Sequence, residues 1–134
     1  MTHFAVNWLA VVLAALASMA FGFAWYMALS RPWLAAVGKS REQINPGDAT
    51  PFIWTAAAEL VMAYFIALLT PLLTGATTLS NGLLIAAHMW LGFVVTTLVI
   101  NHRYQRAPWA LTAIDGGHLL GVLLVQGAVI GLFG

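Results

Sequence analysis

At 134 residues, with 62% hydrophobic and only 7% charged side chains, the chain lies far from the roughly 25% charged content of a soluble globular domain. That excludes the soluble class and points to one integral membrane domain spanning 1–134. A net charge of +1 offers no clustered basic face for nucleic acid, and the absence of cysteine removes disulfides, thiolate nucleophiles and thiolate-bound metals.

Four apolar runs follow one another, at about 5–29, 51–73, 81–100 and 109–133. Each approaches the ~20 residues needed to cross a ~30 Å hydrocarbon core. In lipid only helices or closed barrels satisfy the backbone, and runs this long without strict alternation are not barrel strands. The predicted fold is all-α, a four-helix transmembrane bundle. All the Lys and Arg residues fall in two connections: Arg31, Lys39 and Arg41 in the first, Arg103 and Arg106 in the last. Basic loop residues mark the cytoplasmic side, so both termini are expected on the other side of the cytoplasmic (inner) membrane. No Lys or Arg precedes the first run, which argues against a signal peptide even though Ala15-Leu16-Ala17 resembles a cleavage site.

The first run carries Ala10, Ala14, Ser18 and Gly22, small residues spaced by four that let another backbone approach. Trp25 and Tyr26 close it as interfacial anchors, a role also expected of Trp109. In the connection that follows, Pro32 to Val37 reads as a short interfacial helix stopped by Gly38, and Ser40-Arg41-Glu42-Gln43 has capping-box spacing. Asn45-Pro46-Gly47-Asp48 reads as a turn, and Thr50-Pro51 as an N-cap followed by proline in the first helical position. Glu59 lies ~12 Å along the second helix, on a face shared with Ala63 and Ala67. Pro71 and Gly75 are expected to end that helix.

The third run holds His88, Trp90 and Gly92, and turns polar toward Thr96, Thr97, Asn101 and His102. The fourth contains Asp115 and His118, at i and i+3 on one helix face and about 10 and 15 Å deep. Gly117 and Gly121 form one GxxxG pair there and Gly127 and Gly131 another, so close helix crossings are expected. Ser30-Arg31-Pro32-Trp33 and Arg106-Ala107-Pro108-Trp109 are faintly alike, too short a match to establish a repeat.

The chain resembles a family of small bacterial membrane proteins known as domain of unknown function 1761. The resembling residues are Asn7-Trp8-Leu9-Ala10, Gly22 with Trp25-Tyr26, Trp90-Leu91-Gly92-Phe93 followed by Thr96-Thr97 and Asn101, and the glycine-bearing last helix. The resemblance covers essentially the whole chain. It implies a four-helix membrane protein and supplies no reaction, ligand or catalytic residue.

Glu59, Asp115 and His118, with His88 at nearby depth, form the predicted buried polar centre. An ionisable group in hydrocarbon costs several kcal/mol unless paired. Two readings stand: a centre that passes or senses protons, cations or a small polar solute, and a hydrogen-bonded cluster that fixes helix packing. A haem or metal held by His88 and His118 is conceivable, but a histidine bonded to a carbonyl is commoner, so no metal and no cofactor are expected. No Ser or Thr sits in an elbow or triad context, which leaves an intramembrane enzyme least supported. Expected partners are the lipid bilayer and either a second copy of the chain or another membrane protein, with the alternative function that of an accessory subunit in a larger membrane complex.

Overall fold

The computed structural model describes residues 5–44 and 47–134. Among these, the order of helices is α1 (Trp8–Ala28), α2 (Ser30–Val37), α3 (Thr50–Thr74), α4 (Leu79–Met89), α5 (Val95–Tyr104) and α6 (Trp109–Phe133). A π-helical segment, Trp90–Val94, joins α4 to α5, so Leu79–Tyr104 is one interrupted span. The four long elements, counting that span as one, are each long and apolar enough to cross a membrane. No strand occurs among the described residues.

Local chemistry sets the boundaries. The Asn7 side chain accepts from Ala10 N–H at 3.2 Å and starts α1, and Thr78 Oγ1 accepts from Asn81 N–H at 3.1 Å and starts α4. Helix α2 begins at Ser30, ahead of the expected Pro32, and ends at Gly38, whose φ of 73° is the left-handed conformation open to glycine. Half of the expected capping box is present: Gln43 Oε1 accepts from Ser40 N–H at 2.8 Å. Asn45 and Pro46, in the turn expected next, lie outside the described residues.

Two expected boundaries differ. Thr50 is the first residue of α3 rather than its cap. Asp48 Oδ1 accepts the Thr50 N–H at 3.0 Å, and that bond holds the Asp48 carboxyl below its ordinary range. Pro71 sits inside α3 instead of ending it. Proline removes one N–H from the helix ladder, and the helix continues to Thr74, where Gly75 adopts φ 87° and donates to the Pro71 carbonyl at 2.8 Å. The third span likewise runs on past Ile100 to Tyr104.

Helix α6 is the hub, packing against α1, α3 and α4. Small residues explain how closely. A Cβ added at Gly127 would collide with the Gly82 backbone, and one at Gly131 with the backbone of Thr78 and Leu79. On the α1 side, Gly117 leaves room for the Trp25 ring and Gly121 for the Phe21 ring. Ala10, Ala14, Ser18 and Gly22 of α1 are all buried. Leu9, Leu16, Met27, Trp54, Leu91 and Phe93 are among the many large apolar side chains left exposed. This exterior suits lipid, where the same surface in water would aggregate.

Candidate functional site

Helix α6 threads its polar residues between two sets of partners. In its first turns Thr112, Asp115 and His118 recur every third residue, so Asp115 neighbours both of the others on the helix surface. The hydroxyl of Tyr26, in the last turns of α1, donates to Asp115 Oδ1 at 2.7 Å. His102 Nε2, near the end of α5, stands 3.8 Å from Asp115 Oδ2. On its other side, His102 Nδ1 lies 2.7 Å from Thr112 Oγ1, which also accepts from Arg103 Nη2 at 2.9 Å. Arginine only donates, so the Thr112 proton is free for His102 Nδ1, an assignment that leaves the Nε2 proton facing Asp115. The Arg103 guanidinium lies 3.5 Å over the Trp109 ring, which is itself largely exposed.

Two indoles hold this part of α6 from both sides. Trp25 Nε1 donates to the Ile114 carbonyl at 3.0 Å and Trp90 Nε1 to the Gly116 carbonyl at 2.8 Å. Trp25 and Tyr26, expected as interfacial anchors, point their polar tips inward and bond α6.

Deeper in the bundle a second polar set joins three helices. Gln126 is fully buried, and its Nε2 donates to Ser18 Oγ of α1 at 3.1 Å and to the Glu59 carbonyl of α3 at 2.9 Å. Ser18 Oγ in turn donates to the Ala15 carbonyl at 2.9 Å. Glu59 is only 3% exposed, and its Oε1 accepts no hydrogen bond among the described residues.

Glu59 lines a cavity of about 530 Å³ between α1, α3 and α6, with Met19, Phe23, Thr55 and His118 on its walls. A second cavity, of about 850 Å³, lies beneath α2 and is lined by Asp115, Trp33, Leu34, Ile44 and Leu119. Tyr26, Ser30, Phe52 and His118 line both, so the two adjoin. His118 is the hinge of the arrangement: its ring lies 4.7 Å from that of Tyr26, and a Cβ at Gly22 would stand 2.8 Å from its Nε2.

Glu59 and His118 thus meet at one cavity and Asp115 and His118 at the other, while the two carboxylates share neither. His88 is set apart. Contrary to the expected burial it is exposed, with Nδ1 2.8 Å from the Leu84 carbonyl of its own helix, because its rotation about the helix axis, rather than its depth, decides which way it faces. The residues that sequence reasoning passed over are His102, Thr112, Arg103 and Gln126. A signal existed for two of them: Thr112 continues the spacing of Asp115 and His118, and Gln126 is the one amide side chain in α6.

Among the described residues no group of three or more His, Asp or Glu is placed to hold a metal ion. In comparison with known proteins, the family described as "Protein of unknown function (DUF1761)" matches residues 9–131. None of the curated proteins and none of the solved structures matches the chain.

Proposed function

The chain belongs to the family described as protein of unknown function (DUF1761), and on that premise we propose that it binds a small solute bearing a positive charge or hydrogen-bond donors inside the membrane. In this reading the solute is passed or sensed between Glu59 and Asp115. The observation that carries it is Glu59: a carboxyl group 3% exposed, on a cavity wall, with one oxygen that has no hydrogen-bond partner among the described residues. A buried acceptor left unmatched costs about 1–3 kcal/mol, a cost that a bound donor removes. The basic end of the bundle faces the cytoplasm in this proposal, both termini face away from it, the host is the inner membrane, and the exposed apolar faces serve lipid and self-association.

The test is a titration of the purified protein in lipid nanodiscs with methylammonium, guanidinium and small polyols, followed by tryptophan fluorescence and unfolding temperature. The expected result is a saturable response in the parent protein that is absent from a folded Glu59→Gln variant. A parent that responds to none of these solutes removes the proposal.

A structural role is favoured by a different observation, the Gln126 amide that ties Ser18 to the Glu59 carbonyl. Under that reading the polar residues fix helix register and Glu59→Gln leaves every solute response unchanged.

A further inference from the structure

The two cavities differ from a metal or water site in what surrounds their carboxylates. Met19, Phe23 and Met27 line the first, Trp33 and Leu34 the second, and Phe52 both. Phe23 and Phe52 stack across the α1–α3 boundary with centroids 5.2 Å apart, and Tyr26 meets Trp33 edge-on at 6.1 Å. Among the described residues, the acidic groups on these walls are Glu59 and Asp115, and no Lys or Arg is on either.

We propose that the ligand is an amphipathic organic cation, an ammonium group carrying an aromatic or alkyl body, seated with its charge at Glu59 and its body against Phe23, Phe52 and Tyr26. This names the substrate class of the site described above and rests on that reading. Four physical points select it. An inorganic divalent cation needs about six or more oxygen ligands close at hand, and among the described residues no cluster of three acidic or histidine side chains offers them. An organic ammonium is weakly hydrated, so one carboxylate and the faces of aromatic rings replace its water. An anion meets two carboxyl groups and, among the described residues, no Lys or Arg. A wholly apolar molecule gains nothing from Glu59, whose burial is costly in its absence.

Size and compliance agree. A volume of about 530 Å³ falls within the ~300–1,000 Å³ of small-molecule sites. Met19 and Met27 are flexible and polarisable, which lets one cavity accept bodies of different shape.

The experiment uses the full chain in nanodiscs, with protein-free nanodiscs as the baseline, and an isosteric pair of probes: benzyltrimethylammonium and the neutral neopentylbenzene, in which carbon replaces the charged nitrogen. Saturable binding of the cation is expected, with no competition from the neutral probe. Glu59→Gln is expected to weaken it by about tenfold or more, the loss of one ion-pair contact between the carboxylate and the ammonium, and Phe52→Ala, at a half-exposed wall position, to weaken it less. The parent comparison needs no variant, so it stands even if Glu59→Gln fails to fold. If methylammonium and guanidinium bind while benzyltrimethylammonium does not, the organic-cation assignment is wrong and the solute site survives. If none of the cations binds, both are wrong. Equal binding of the two isosteric probes, unchanged in Glu59→Gln, shows an apolar cavity indifferent to charge and likewise removes both.

Discussion

The Tyr26 hydroxyl donates to Asp115 Oδ1 across 2.7 Å, joining the last turns of α1 to the early turns of α6. The contact bridges 89 positions of sequence and gives a carboxylate in a membrane helix a partner it does not have on its own helix. Asn at position 115 keeps an acceptor oxygen for Tyr26, whereas Leu leaves both Tyr26 and His102 without one. Asp115→Asn is therefore expected to fold nearly as well as the parent, and Asp115→Leu to cost ~1–3 kcal/mol. Tyr26→Phe should cost a similar amount in the parent and almost nothing in the Asp115→Leu background. Unfolding free energies of the four proteins in mild detergent form the double-mutant cycle that checks it. Additive losses would show that the two side chains are not coupled.

The glycines of α6 fall into two classes that sequence spacing does not separate. Gly127 and Gly131 face backbone of α4, while Gly117 and Gly121 face the far ends of the Trp25 and Phe21 rings. A ring swings aside more cheaply than a helix moves. Gly127→Ala is expected to destabilise by about 1–3 kcal/mol, the range for overpacking, and Gly121→Ala by less. Gly121→Leu, too large for a ring shift alone, should still disturb assembly more than Leu120→Ala. Thermal midpoints and elution size in detergent rank the four variants. Equal sensitivity of Gly127 and Gly121 would contradict the packing at Gly82.

The spans were legible because lipid leaves the backbone few options and because length alone then counts helices. The small-residue row of α1 was legible too, since Ala14, Ser18 and Gly22 share a face at a spacing of four. Partners were harder to read. Depth along a helix follows from sequence position, but rotation about its axis is set by packing. His88 and His102 show the difference: they belong to one interrupted span, yet the first is exposed and the second is buried beside Asp115. Between them lies the π-helical segment Trp90–Val94, whose wider turn changes the face that later residues present. No hydrophobic periodicity announces such a segment in a run that is apolar on every side. Tyr26 was equally ambiguous, because a ring near a helix end serves an interface or an interior acceptor with the same residues.

Orientation is expected to follow the basic residues. Arg31 lies in the first turn of α2 and Lys39 just past its end, and Arg103 lies in the last turn of α5 with Arg106 in the connection to α6. The four thus fall between the first and second spans or around the turn from the third to the fourth, at one end of the bundle. Fusion of the C-terminus to a phosphatase active only outside the cytoplasm should give activity, and the same fusion to a cytoplasm-dependent fluorescent reporter should stay dark. A bright cytoplasmic reporter at the C-terminus would invert the topology. It would also place Asp115 toward the opposite face from the one proposed.

The last prediction concerns Gln126, the largest side chain that is fully buried. Its Nε2 makes two hydrogen bonds, to Ser18 Oγ and the Glu59 carbonyl, but its Oε1 accepts none among the described residues. The amide thus gives two contacts and carries one unmatched acceptor, and these oppose each other. Interhelical hydrogen bonds in membrane proteins contribute on average about 0.6 kcal/mol, while an orphaned buried acceptor costs ~1–3 kcal/mol. Gln126→Met keeps the length and apolar bulk, loses both contacts and removes the orphan, so it is expected to stay within ~1 kcal/mol of the parent. Gln126→Glu cannot donate to Ser18 and the Glu59 carbonyl together, and when ionised it places a negative charge in the interior of the bundle. It should be clearly less stable than Gln126→Met, with the gap widening as pH rises and narrowing as pH falls, because protonation removes the charge. Unfolding in detergent across pH, with Gln126→Met as the reference, measures that gap. A Gln126→Glu protein as stable as Gln126→Met at every pH would mean that water reaches this level of the bundle and that Glu59 is not sealed from it.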